Sequence, residues 1–284
     1  MVFPFTGARG RKARAGFFLG AAFLVGTAPA ADGKEASPCD IRYASDGAIQ
    51  WTCHKLARNE SLESLFGERW QDVARFNRID RRHALPGVGL KIPERLEDVE
   101  DFAPVPAELA YDFPDEDPKY ILIDLTEQYL GAYEKGRLVF SSPITSGKSR
   151  YITPPGEYRI DAYSGRHESS LYKIEGTDLP YPMHYALRFL VNEREVEYWI
   201  HGRDMPGYPA SHGCVGLYDE DMQKEYFGEP EYPLMDTARK LYEWAIGPHR
   251  VEDGIHYLKK GPRMLIIGEP PDGIDHSPNM APGP

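Results

Sequence analysis

Short alternating stretches separated by glycine and proline constrain the fold of this chain more than any other feature. The 284 residues include 27 Gly and 25 Pro, and both residue types mark turns and breaks in secondary structure. From Tyr120 to Leu125, isoleucine and leucine recur on one face, as in a half-buried strand. The same reasoning predicts further strands at 130–134, 137–144, 156–162, 186–191, 196–201 and 263–268. We therefore expect a mainly β domain over residues 119–269, with one or two helices, one of them at 235–246.

The charge of the chain bears on its partners. The formal net charge is -11. Nucleic acids and anionic membrane surfaces repel an acidic protein. We therefore expect neither of them to be a partner.

The first thirty residues have the organisation of a secretory signal peptide. Four basic residues precede an apolar run between Ala15 and Gly26, and Ala28-Pro29-Ala30 supplies the small residues of a cleavage site. The apolar run is shorter than the roughly 20 residues that a membrane span needs. We expect cleavage after Ala30, export to the periplasm, and no membrane span in the mature protein.

Residues 51–93 form a small unit ahead of the β domain. Apolar residues at spacings of three and four between Trp70 and Asn77 predict a helix. A short helix capped by Asn59-Glu60-Ser61 precedes it, and Leu85-Pro86-Gly87 turns the chain into a final strand. The predicted order is therefore strand, helix, helix, strand.

This βααβ unit resembles a LysM module. The matching residues are Glu60-Ser61-Leu62, Phe76-Asn77, Ile79, Leu85-Pro86-Gly87, Gly89-Leu90 and Ile92-Pro93. The resemblance implies binding of the N-acetylglucosamine-containing glycan of cell walls. A LysM fold without sugar affinity is the alternative. We assign residues 31–98 to this module.

Two further segments are predicted from composition. Residues 99–118 are acidic and rich in proline, which favours an extended, solvated linker. A solvated linker would make the two domains independent, so turnover of small soluble substrates should survive removal of the module. Residues 270–284 are rich in Pro and Gly and are expected to form a flexible tail.

The three cysteines divide into a pair and a single residue. Cys39 and Cys53 lie fourteen residues apart in the exported chain, where a disulfide can form. Cys214 stands alone and is either a buried small residue or a reactive thiol. The residues around Cys214 in the sequence decide between these two interpretations.

The candidate chemistry lies between residues 201 and 217. His201-Gly202 ends a predicted strand, and Ser211-His212-Gly213-Cys214-Val215 follows a loop rich in Pro and Gly. A cysteine attacks a carbonyl as thiolate, so it needs a base or a field that lowers its pKa. His201 lies on a different element from Cys214 and can face the sulfur. Zinc binding by His201, His212 and Cys214 is the alternative, but structural zinc usually has a fourth ligand, and we expect no metal.

Residues 201–217 resemble the active-site signature of the L,D-transpeptidases, the YkuD family. Tyr120-Ile121-Leu122-Ile123-Asp124-Leu125 and Thr153-Pro154-Pro155-Gly156 resemble further segments of the same domain. The resemblance covers about 150 residues. It implies a YkuD-like β-sandwich in which Cys214 is the nucleophile and His201 is the base.

The resemblance implies roles for further residues. The Gly202 carbonyl would orient the imidazole of His201, while His212, Gly213 and the Cys214 amide would border an oxyanion site beside Ser211. Met183 and Tyr185 fall where family members line the substrate channel. One position departs from the pattern, because Gly216 stands where the family usually has arginine. Arg203 is a candidate substitute in substrate binding.

The implied activity is transfer of an acyl group between peptides of the cell wall. Cys214 would acylate on a stem tetrapeptide, D-alanine would leave, and an amine of another stem or of a wall protein would resolve the thioester. No cofactor is needed. The alternatives are an L,D-carboxypeptidase or another peptidoglycan hydrolase of the same fold, a non-catalytic wall-binding protein, and a cysteine peptidase acting on proteins.

Overall fold

The computed structural model describes residues 36–110, 117–247 and 254–271. All of them belong to one compact unit. The predicted signal peptide and residues 272–284 of the predicted tail lie outside the described residues. No helix among the described residues is long and apolar enough to cross a membrane.

The N-terminal module has the predicted βααβ order. Its elements are β1 (Trp51–Lys55), α1 (Leu62–Phe66), α2 (Trp70–Asn77) and β2 (Gly89–Pro93). The strands β1 and β2 pair antiparallel. Ser61 begins α1 by accepting a hydrogen bond from the Ser64 N–H, as expected of an N-cap serine. Cys39 and Cys53 form a disulfide that joins the segment before β1 to β1 itself.

Two five-stranded sheets and two helices make up the remainder. Their elements are β3 (Lys119–Asp124), β4 (Tyr129–Glu134), β5 (Arg137–Pro143), β6 (Gly156–Arg159), β7 (Ala162–Lys173), β8 (Pro180–Val191), β9 (Glu197–Arg203), β10 (Val215–Tyr218), α3 (Glu220–Phe227), α4 (Thr237–Ile246), β11 (His256–Tyr257) and β12 (Arg263–Ile267). One sheet has the order β10-β9-β8-β7-β11 and the other β5-β4-β3-β12-β6. The predicted mainly β fold is confirmed.

The core of the β domain draws on alternate residues of both sheets. Ile121 and Ile123 of β3 are fully buried, as their alternation predicts. They belong to one cluster with Ile200 of β9, Val215 of β10 and Leu241 of α4. The sheets therefore enclose one apolar layer. β10 forms an edge of its sheet, and β9 lies next to it.

The segment that we expected to be a solvated linker is in part packed against the β domain. The ring of Phe102 lies 5.3 Å from that of Phe76 and 5.8 Å from that of Tyr129. The Tyr129 hydroxyl donates to the Phe102 carbonyl at 3.0 Å, and the Leu109 N–H donates to the Gly136 carbonyl at 2.8 Å. Residues 102–110 lie along β4 and β5, because the Phe102 ring packs there and backbone groups of the segment form hydrogen bonds there. The domain boundaries themselves stay a prediction.

The module and the β domain share an apolar cluster. Leu62, Trp70 and Val73 of the module pack with Met205 and Tyr218 of the β domain. The Tyr218 hydroxyl reaches back to the carbonyls of residues 74 and 79 in the module, at 3.2 and 3.1 Å. Both parts of the chain therefore bury surface that neither would bury alone.

Residues 78–83, here called the docking segment, add polar contacts to this junction. Arg78 is buried and pairs with Glu127, while Arg81 pairs with the buried Glu220. The Asp80 carboxylate accepts the Met205 N–H at 2.8 Å. The docking segment therefore fixes the loop that follows β9, which leads toward Cys214.

Candidate active site

The candidate catalytic residues lie at two neighbouring parallel strands: His201 is in β9, and Cys214 directly precedes β10. Val215 pairs with Ile200, and both side chains enter the core. Successive side chains of a strand point to opposite faces. Cys214 and His201, each adjacent to that pair, therefore lie together on the opposite face of the sheet. The parallel pairing brings them to one place although thirteen residues separate them in sequence.

The thiol of Cys214 sits in a largely apolar environment. It packs with Met183, Trp199 and Tyr181. Burial raises the pKa of the Cys214 thiol, while a hydrogen bond from the Trp199 backbone and the charge of Arg203 act in the opposite direction. Because the net shift is upward, the free thiol is protonated near neutral pH, and attack requires a base that takes its proton.

His201 has the hydrogen bonding that such a base requires. Its Nδ1 lies 2.7 Å from the Gly202 carbonyl oxygen, which can only accept, so Nδ1 carries the proton and Nε2 does not. Burial lowers the pKa of His201 to about 3, although the bond to Gly202 acts to raise it. His201 is therefore neutral near neutral pH, with Nε2 available as an acceptor.

The turn before Cys214 needs a glycine at position 213. Its φ is +117°, and a Cβ there would lie 2.7 Å from the ring of Tyr198. Ser211 accepts the Gly213 N–H at 3.0 Å and donates to the Cys214 carbonyl at 2.5 Å. The Gly213 amide is thus engaged by Ser211. This differs from the expectation that it borders an oxyanion site, because the serine hydroxyl closes the turn.

His212 is held between aromatic rings. It stacks on Tyr172 with ring centroids 4.1 Å apart and meets the edge of Tyr151 at 4.5 Å. Burial, followed by the charges of Lys148 and Arg203, lowers the pKa of His212 to about 4. His212 is therefore neutral near neutral pH and connects the hairpin of β7 and β8 to the turn before Cys214.

Arg203 occupies the space above Gly216. A Cβ on Gly216 would lie 2.6 Å from the Arg203 Cδ and 2.7 Å from the Thr145 Cγ2. The Arg203 guanidinium donates to the Ala210 carbonyl at 3.1 Å and lies 5.5 Å from the centre of the Tyr181 ring. The glycine thus gives room to an arginine from the neighbouring strand.

Gly216→Ala is therefore expected to displace Arg203 or to strain β10. Overpacking of this kind costs about 1–3 kcal/mol, measurable as a lower midpoint of thermal denaturation. The matched control is Gly47→Ala, since a Cβ there would have no neighbour within 4 Å. An unchanged midpoint for Gly216→Ala would show that Arg203 does not depend on this space.

A cavity of about 970 Å³ opens over Cys214. Met183, Arg203, His201 and His212 line it. Tyr185 does not. Its φ of +55° interrupts the alternation of β8, and its ring packs 5.7 Å from that of Tyr242 on α4. The structure therefore separates Tyr185 from the substrate-binding residues.

Several cavity residues were missed from the sequence. They come from the β7–β8 hairpin, from β9, from α3 and from the docking segment: Tyr172, Tyr181, Trp199, Tyr226, Phe227, Arg82 and His83. Trp199 could have been found, since it lies two residues before His201 on the same strand face. The residues of the docking segment and of α3 carry no local signal, because only tertiary contacts bring them to the cavity.

A family model matches part of the β domain. Residues 118–227 match the family model of the L,D-transpeptidase catalytic domain, YkuD. The matched stretch includes His201 and Cys214. A search of curated protein sequences found no match.

Solved structures of L,D-transpeptidases show partial similarity. An enzyme from Stackebrandtia nassauensis is 20% identical with a TM-score of 0.38, covering 72% of this chain and 69% of its own. An enzyme from Xylanimonas cellulosilytica is 22% identical with a TM-score of 0.39, covering 69% and 79%. L,D-transpeptidase 1 of Mycobacterium tuberculosis is 13% identical with a TM-score of 0.35, covering 54% and 63%.

Proposed function

We propose that this protein is a peptidoglycan L,D-transpeptidase with Cys214 as its nucleophile. One observation supports the proposal above all. Cys214, directly before β10, lies beside His201 of the neighbouring strand β9, and the Gly202 carbonyl holds His201 in the tautomer with a free Nε2. A protonated thiol beside a neutral imidazole is suited to attack with simultaneous proton transfer.

The first half-reaction forms a thioester. Nε2 of His201 takes the thiol proton as the sulfur attacks the carbonyl of the third residue of a stem tetrapeptide. The carbonyl oxygen becomes an oxyanion, for which the Cys214 N–H is the candidate donor. The bond to D-alanine then breaks, and the proton passes from Nε2 to the departing amine.

The second half-reaction transfers the acyl group. An amine attacks the thioester, Nε2 takes one of its protons, and the carbon–sulfur bond breaks. The proton returns to the sulfur, so the enzyme is regenerated without a cofactor. The apolar contacts around Cys214 support this route because they limit water at the thioester.

The same proposal assigns the location and partners. A signal peptide over residues 1–30 would export the protein to the periplasm. The LysM-like module would bring it to wall glycan, and the acceptor would be a stem amine or an amine of a wall protein. The βααβ order and the disulfide of the module support an exported wall protein.

Incubation of the purified protein with tetrapeptide muropeptides tests this function. We expect cross-linked dimers and released D-alanine by mass spectrometry, with no product from Cys214→Ser. Tripeptide without dimer would indicate an L,D-carboxypeptidase instead. No product at all from the folded wild-type protein would contradict an enzymatic function and favour a wall-binding one.

A further inference from the structure

The residue whose carbonyl orients His201 is packed against a buried carboxyl group. A Cβ on Gly202 would lie 2.1 Å from Oδ2 of Asp219, and 2.6 and 2.8 Å from the Cβ and Cγ of the same side chain. Gly202 is not among the glycines with a positive φ, so space rather than backbone conformation requires a glycine here. The side chain of Asp219 therefore rests directly on the backbone at Gly202.

Asp219 is itself held in place by two elements. It directly follows β10, in which Leu217 pairs with Gly202 of β9. It is also the N-cap of α3, where its Oδ1 accepts the Met222 N–H at 3.0 Å. The residue is 1% exposed. The start of α3 thus fixes one carboxylate oxygen, and the other lies against Gly202.

The second oxygen has no role in the helix cap. Oδ2 of Asp219 is buried and has no hydrogen-bond partner among the described residues. A charged oxygen without a hydrogen bond in a protein interior costs free energy. Asparagine or serine would cap α3 as well. The cap alone therefore does not account for a carboxylate at this position.

The charge state of this carboxyl group is set by its surroundings. Burial raises the pKa of Asp219 to about 7, against the hydrogen bond from the capped N–H. The charges of Asp221 and Asp236 add to the rise, and that of Arg239 on α4 reduces it. Tyr185 of β8 also faces the carboxylate, whose charge adds to the effect of burial in raising the pKa of Tyr185. The carboxyl group therefore titrates near neutral pH.

We propose that Asp219 is a positioning residue for His201: its carboxyl group holds the Gly202 carbonyl against Nδ1, and its negative charge favours the imidazolium that forms when Nε2 takes the thiol proton. The contact with Gly202 places the carboxylate beside the peptide bond that joins His201 to Gly202. An opposite charge close to an ionisable group favours the charged form of that group by roughly 10-fold or more. The inference rests on the proposed function, because it adds a residue to that mechanism.

Asp219→Asn tests the charge while keeping the shape of the side chain and its cap. Rapid-quench mass spectrometry measures the rate of thioester formation on a tetrapeptide between about pH 5 and 8. His201, with a pKa of about 3, and the Cys214 thiol, with a raised pKa, do not titrate in this interval. The wild-type rate should rise by roughly 10-fold as Asp219 ionises near pH 7, while Asp219→Asn should stay at the low rate. Asp221→Asn, which removes a half-exposed charge from the same turn of α3, should keep the rise.

Thermal denaturation at each pH separates this role from a purely structural one. The pKa of Asp219 is higher in the folded than in the unfolded chain, so its contribution to stability is lost as the pH rises to about 7. Asparagine carries no such loss. The midpoint of Asp219→Asn relative to the wild type should therefore increase between about pH 5 and 8. A variant that gains relative stability while it loses relative rate is not slow because it unfolds.

A pair of substitutions tests the contact itself. Gly202→Ala places a methyl group where the carboxyl group of Asp219 lies, and it should slow thioester formation by roughly 100-fold, as expected when a catalytic group is misplaced by about 1 Å. Asp219→Ala in the same chain removes the collision and should restore part of the rate. Such non-additivity is the signature of two residues in contact.

Three results would overturn the inference. If Asp219→Asn lowers the rate equally at every pH, Asp219 serves only to begin α3. If the wild-type profile is flat, or if its rise persists in Asp219→Asn, the charge does not act on His201. If Asp219→Ala restores nothing to Gly202→Ala, the contact does not hold the Gly202 carbonyl. Failure of the proposed function would look different, because the wild-type protein would then form no thioester at any pH.

Discussion

His201→Ala is expected to lower the rate of thioester formation by roughly 10²–10⁴-fold, the usual contribution of a positioned general base. The thiol pKa is raised by burial, so the substrate reaction depends on Nε2 to remove the proton. Rapid-quench mass spectrometry of the acylated enzyme would measure this rate. The matched control is His184→Ala, because His184 is also a buried imidazole of the same sheet but lies outside the cavity lining.

The pH dependence of the same variant separates two ways of activating the thiol. The pKa of His201 is about 3, so His201 does not titrate between pH 5 and 7 and forms no imidazolium there. Alkylation of Cys214 by iodoacetamide should therefore rise in one step, above the ordinary pKa of a thiol, in both wild type and His201→Ala. Rapid alkylation of the wild type at pH 5–6 that disappears in His201→Ala would instead show a thiolate–imidazolium pair.

The sequence alone predicted the parts of the fold that depend on local patterns. The alternation of Ile121 and Ile123 placed β3 and its buried face, and residues at spacings of three and four placed α2 and α4. The hairpin of β7 and β8 was largely missed. The outer half of β7 is exposed, so no buried face imposes a period on its sequence.

The position of the candidate site could be predicted from sequence, but the direction of the pKa shift of the Cys214 thiol could not. The spacing of His201 and Cys214 suggested a pair on two elements; in the structure His201 is in β9, and Cys214 directly precedes β10, which pairs with β9. The sequence also suggested a thiol with a lowered pKa. In the structure the pKa of this thiol is raised instead, because apolar residues such as Trp199 and Met183 bury it. These residues come from other positions of the sheet.

The contacts between the module and the β domain were the largest feature that the sequence did not predict. The acidic, proline-rich composition of residues 99–118 suggested separation. The two parts are instead joined by contacts between residues far apart in sequence, such as Arg81 with Glu220 and Tyr43 with the Gly207 carbonyl. No local pattern reports a pairing across more than a hundred residues.

These contacts predict that removal of the module abolishes activity, whereas the sequence suggested that turnover of small soluble substrates would survive it. Deletion of residues 36–100 should leave no folded, active enzyme, even toward small soluble muropeptides. The deletion exposes Met205 and Tyr218, which the module buries. It also leaves the buried Glu220 without Arg81, and removal of one partner of a buried ion pair costs about 3–5 kcal/mol. A typical domain has only about 5–15 kcal/mol of stability to lose.

Soluble yield, the midpoint of thermal denaturation and D-alanine release would measure the outcome together. Arg81→Ala is a smaller version of the same change, because it keeps the module but leaves Glu220 unpaired. It should lower the midpoint without abolishing turnover at a temperature where the variant stays folded. Arg95→Ala, on the exposed surface of the module, should match the wild type in both measurements. If the truncated chain remains folded and releases D-alanine at the wild-type rate, the docking segment does not position the loop before Cys214. The module would then act only outside the catalytic domain.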